Sequence, residues 1–111
     1  MKKAEMREIV PLMCMRRDGE KNIVMAEGEI ITYAGRKMAI TPYYEPYKEE
    51  MSLTYKCLTD CATGMVVSPK KFKGAGALKR VMKNHEEDIR KNFELNKDAV
   101  KRAEEQLKKM L

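Results

Sequence analysis

One histidine, His85, and three cysteines, Cys14, Cys57 and Cys61, are the side chains of this sequence best suited to nucleophilic or metal chemistry. Cys57 and Cys61 stand in a C-x3-C spacing that two zinc ligands accept, and Cys14 with His85 would complete a Cys3His set. Those two outlying ligands have no motif around them, and three reduced thiols packed in strands account for the cysteines without a metal. A thiol activated by imidazole, such as Cys61 with His85, is formally open to the chain. His85, however, falls between Met82 and Ile89 on an apolar helical seam, where a histidine packs more often than it catalyses. Gly74-Ala75-Gly76 is not followed by Gly-Lys-Ser/Thr, so it is neither a P-loop nor a dinucleotide fingerprint. Carboxylates are plentiful, but none sits in an apolar run of the kind that raises a pKa for acid–base work. The expectation is a protein without enzymatic activity and without a cofactor.

Charge carries a stronger signal. Of the net +6, none comes from residues 1–50, which hold nine bases and nine acids; residues 51–111 hold fourteen and eight. Within that half, Lys70, Lys71, Lys73, Lys79, Arg80 and Lys83 occupy a fourteen-residue window that contains no acid. The window spans a strand end, a glycine-containing segment and the first turns of a helix. Glycines let a backbone approach an anion, and a helix N-terminus offers free N–H groups and the positive end of its dipole. Helices ordinarily favour acids in that first turn, so two bases there point to an anionic partner, either a nucleic-acid backbone or an acidic protein surface. Tyr43, Tyr44 and Tyr47 form a second candidate contact. Exposed rings stack on bases or anchor protein interfaces, whereas buried ones would cap the open end of a sheet. The acids Glu45, Glu49 and Glu50 beside them suit a protein interface better than phosphate.

The elements that must position these groups follow from apolar periodicity. Residues 7–16 read as a strand, and Pro11 places it at a sheet edge. Arg17-Asp18-Gly19-Glu20 supplies a hairpin turn into an extended stretch at 22–33, where Gly28 is a candidate bulge. Ala34-Gly35 reverses the chain into a strand at 36–41. Residues 42–50, with two prolines and no period, read as a loop. Strands at 53–59 and 65–68 flank the turn Asp60 to Gly64. From Leu78 the period changes: Leu78, Met82, His85, Ile89, Phe93, Val100, Ala103, Leu107 and Met110 mark one face of a helix. Asn96 fills the gap in that seam. An unbroken helix over 76–111 would be about 50 Å long against strands of about 20 Å. It therefore overhangs the sheet or breaks near Asn96, and an overhang would be covered in a homodimer.

The fold class expected is α+β, a small antiparallel sheet of about five strands (7–68) packed against that long C-terminal helix, with 1–111 forming a single domain. Ten methionines and no tryptophan imply a core of adaptable thioethers. No apolar run approaches the roughly 20 residues that span a bilayer, Met1-Lys2-Lys3 leads into no export signal, and an odd cysteine count argues against a disulfide framework. A cytoplasmic binding or regulatory protein, an inhibitor included, fits all of this; small basic proteins of this kind are often accessory factors of phage or mobile elements.

Overall fold

Alternating apolar and polar residues carry the first half of the chain into four long strands, β1 (Arg7–Met15), β2 (Lys21–Tyr33), β3 (Arg36–Glu45) and β4 (Glu50–Asp60). A two-residue strand, β5 (Phe72–Lys73), completes an antiparallel sheet in chain order, and three helices follow, α1 (Ala75–Lys83), α2 (Glu86–Leu95) and α3 (Lys97–Met110). The fold is α+β. The structure, a computed structural model, describes residues 6–15, 18–45, 48 and 50–111.

The sheet curls rather than lying flat. Residues 21–28 of β2 pair only with β1, and the pairing with β3 begins at Glu29. The free edge of β1 then comes round to the loop after β4, where the Met13 N–H donates to the Gly64 carbonyl at 2.7 Å. Gly64 has φ 72, and a Cβ there would lie 3.1 Å from Met13 N, so both its conformation and its space require glycine. Pro11 lies two residues from Met13 on the same edge-facing parity of an antiparallel strand, so its missing N–H forfeits no ladder bond. The concave face buries Val10, Leu12, Cys14, Ala26 and Ala39. Thr41, Cys57 and Thr59 share it, and their hydroxyls are satisfied by one another, with Thr41 Oγ1 3.1 Å from Thr59 Oγ1.

The convex face of β3 and β4 takes the helices. Met38, Ile40 and Leu58 pack with Tyr33, Leu78 and Met82 in one cluster, and Ile89 and Phe93 close over it. Each fully buried aliphatic side chain of this kind contributes about 1.5–3 kcal/mol. The tight β2–β3 turn, with Ala34 at φ 53 and Gly35 at φ 76, docks the helices: Tyr33 Oη donates to the Met82 carbonyl, and Ala34 N–H donates to Glu86 Oε2 at 2.7 Å.

Four expectations change. The fifth strand is Phe72–Lys73; residues 65–68 contribute only a Thr59–Val66 bridge, and Ser68 Oγ instead accepts from Leu58 N–H at 3.1 Å. Residues 42–45 belong to β3 despite Pro42, because β2 has already left β3 at Ile40 and only the β4 side asks for donors; the register with β4 then shifts between Pro42 and Tyr44. Gly28 is no bulge, since pairing with β1 runs through it unbroken. Finally, the helix breaks twice, at Asn96 as expected and also at Asn84-His85. There the N–H groups of Asn84 and His85 reach the carbonyls three residues back, at Val81 and Met82. The second break turns His85 off the apolar seam and leaves it exposed. The longest dimension of the molecule is accordingly 44 Å, short of an unbroken helix.

Candidate functional site

The basic window is laid across β5 and α1, with the chain entering the helix at Gly74 (φ 92). No side chain caps this N-terminus and its first turn holds no acid, but it holds no base either. Because α1 starts at Ala75, Arg80 falls with Lys83 in its last turn rather than in the first turn expected from the sequence. The six bases divide into two sets. Lys79 Nζ lies 2.7 Å from Glu29 Oε2, and Lys71 Nζ lies 3.9 Å from Glu45 Oε1 and over the rings of Tyr55 (4.5 Å) and Tyr43 (5.2 Å). These two hold α1 and the chain before β5 to the sheet. Lys73, Arg80 and Lys83 are exposed and have no carboxylate partner among the described residues, and Lys70 lies over the Phe72 ring at 5.4 Å. Elsewhere Arg7, Lys37, Lys48 and Arg90 each sit within 4 Å of an acid, whereas Lys91, Lys97, Lys101, Arg102, Lys108 and Lys109 on α2 and α3 have no such partner among the described residues.

The tyrosines do not form one contact surface. Tyr43 packs with Lys71, while Tyr44 packs against the concave core around Val10 and Leu12. Both are half-buried, and Tyr47 lies outside the described residues. Tyr55, across from Tyr43, completes the cation–π arrangement; only the strand register, shifted by the extra residues Ser52 to Tyr55, brings it there.

No protein family, curated protein or solved structure matches this chain. Its chemistry has to be read from the arrangement itself.

The cysteines and His85 are not brought together. Among the described residues no three His, Cys, Asp or Glu side chains converge on a point where a metal would sit, and no hydrogen bond joins His85 to Cys61. Burial pushes the Cys14 thiol up to about 11, aided by the neighbouring Cys57, and raises Cys57 as well. Burial also raises Cys61, opposed by the Lys37 ammonium. All three are free thiols. Cys61, at the half-exposed turn, is therefore expected to react first with iodoacetamide at about pH 8, while Cys14 and Cys57 stay unmodified until denaturant is added. Mass spectrometry of the native and unfolded protein checks this; equal labelling of all three in the native state would refute it.

The arrangement that sequence reading missed is ionic. Asp60, with no solvent exposure, accepts from Arg36 Nε at 2.9 Å and Arg36 Nη2 at 3.0 Å, and from Thr63 Oγ1 at 2.8 Å. Arg36 also donates to Glu104 Oε2 at 2.8 Å, and its guanidinium lies 4.5 Å over the Phe93 ring. Its pKa is raised, first by the bond to Asp60. One side chain thus ties the β2–β3 turn, the end of β4, α2 and α3 together. No spacing in the sequence links residues 36, 60, 93 and 104.

Proposed function

We propose that the protein is a non-catalytic binding protein that takes the phosphate backbone of a nucleic acid on the face formed by β5 and α1. The observation that supports this is the set of exposed bases left without a carboxylate among the described residues, Lys73 just before the uncapped N-terminus of α1 and Arg80 and Lys83 in its last turn. Among the described residues this face carries no fully exposed aromatic ring, Phe72 being buried and Tyr43 and Tyr55 half-buried under Lys71, so it lacks the anchor a protein interface needs at its centre. Lys71 and Lys79 act on this reading from inside, fixing the face rather than touching the ligand. Three free thiols suit a reducing compartment, and we place the protein in the cytoplasm. Among the described residues no helix is long and apolar enough to cross a membrane.

Titration of short duplex and single-stranded oligonucleotides at two salt concentrations tests the reading. With three to four phosphates neutralised on a duplex, log K should fall against log salt with a slope of about −3. Arg80→Glu and Lys83→Glu should each weaken binding about tenfold on every sequence tried and flatten that slope by roughly 1. No binding at low salt overturns the proposal, and an acidic protein surface becomes the partner to seek by pull-down.

A further inference from the structure

Away from the basic face, a groove of about 310 Å³ runs between residues 63–67 and the helices α2 and α3. Its walls are apolar: Met65, Val66 and Val67 on one side, and Phe93, Val100 and Ala103 on the other. Met65 and Val66 are half exposed, at 51% and 50%. The edge of α3 beside the groove continues the apolar surface. Ala99, Ala103 and Met110 (40% exposed) recur there at four- and seven-residue steps, while Leu95 (82%) ends α2 across the Asn96 break and Leu111 (68%) follows α3. Isolated apolar residues on a surface need no explanation, but a groove and a helical stripe in continuity form a face suited to association.

The charges bordering that stripe indicate what covers it. Asp98, Arg102, Glu105 and Lys109 are exposed on its solvent side, and none has an ion-pair partner among the described residues. We propose that the occupant is a second copy of this chain, with its α3 antiparallel to the first about a two-fold axis between residues 103 and 104. That arrangement sets Arg102 against the partner's Glu105, and Asp98 against the partner's Lys109, and symmetry makes each pair twice. The small side chains Ala99 and Ala103 let the helices approach at the centre. A parallel pairing would place each charge on its own kind, so the sequence of α3 selects the antiparallel form. The interface is independent of the phosphate-binding face, since none of the bases in the window 70–83 takes part.

Sedimentation equilibrium on the full chain, from about 1 μM to about 1 mM, reads this directly. The expected result is a monomer–dimer equilibrium with a dissociation constant of about 10–100 μM, the weak range of a small interface. Arg102→Glu turns two attractions into repulsions and should raise that constant about tenfold. Arg102→Glu combined with Glu105→Arg should return it to the starting value. All of these substitutions are at exposed positions, and circular dichroism confirms that the variants remain folded. A monomer throughout the range overturns the proposal. So does a dimer indifferent to Arg102→Glu, or one that the charge swap fails to restore.

Discussion

Replacing Arg36 with alanine is expected to destabilise the fold by about 3–5 kcal/mol, the range for removing one partner of a buried ion pair. The carboxylate of Asp60 is fully buried and takes two of its hydrogen bonds from this one guanidinium. Without Arg36, only Thr63 remains to donate to it among the described residues, and an unpaired charge stays out of water. The same substitution removes the contact with Glu104 and the stacking on Phe93, which fasten α3 and α2 to the sheet. For a domain of ordinary stability, about 5–15 kcal/mol, the loss is a large fraction of the whole. Arg36→Lys keeps the charge but cannot bond Asp60 through two nitrogens, and should fall between the two. Removing both partners should be less harmful than the sum of the single losses, with a coupling of about 1–3 kcal/mol, because the orphaned carboxylate goes too. Urea denaturation of the parent, the two Arg36 variants, the single Asp60 variant and the double variant measures this. A loss below about 1 kcal/mol for Arg36→Ala would show that water reaches Asp60 and that the pair holds nothing together.

How much of this was legible beforehand depended on whether the signal was local. Pro11 announced an edge strand because a missing N–H is a property of one residue, and the structure puts β1 at the edge. The shift from alternation to a three-to-four-residue period placed the helical region equally well. Errors arose where tertiary contacts outweighed local preference. Pro42 reads as a breaker, yet β3 continues through it because its neighbour on one side has already gone. His85 fits the apolar spacing, yet the helix unwinds at Asn84-His85, where Tyr33 comes across from the sheet to take the Met82 carbonyl. The basic window was visible as composition, but its division was not. That Lys79 and Lys71 are engaged by Glu29 and Glu45, while Lys73, Arg80 and Lys83 are left over, depends on partners 26 to 50 residues distant in a chain of 111. The Arg36–Asp60 pair was invisible for the same reason, although Asp60 was already read as a turn residue.

The curl of the sheet offers the second large effect, at a residue whose role the sequence disguised. Gly28→Val is expected to destabilise the protein by about 3 kcal/mol, at the upper end of the range for overpacking. Gly28 does not have a positive φ, so its glycine is not there for backbone freedom. What forbids a side chain is space: a Cβ at this position would lie 3.0 Å from Ala39 Cβ, 3.0 Å from Thr41 Cγ2 and 3.1 Å from the Ile40 carbonyl oxygen. Ala39 and Thr41 are themselves without solvent exposure, so neither can swing aside. Gly28 sits where β2 passes from pairing with β1 alone to pairing with β3, the crease about which β1 and the first half of β2 fold over the inner face. Larger side chains there would force that flap open and separate Met13 from Gly64, loosening the closure of the sheet along with its packing. Gly28→Ala should lose less, about 1–2 kcal/mol, and Thr41→Ser in the same chain should recover part of it, since serine keeps the hydroxyl that bonds Thr59 and drops the methyl that clashes. Thermal unfolding of the three variants, together with amide exchange at Met13, tests both halves of the argument. If Gly28→Val melts within a few degrees of the parent and Met13 remains protected, the crease has room to spare and the sheet is not closed by close approach at this point.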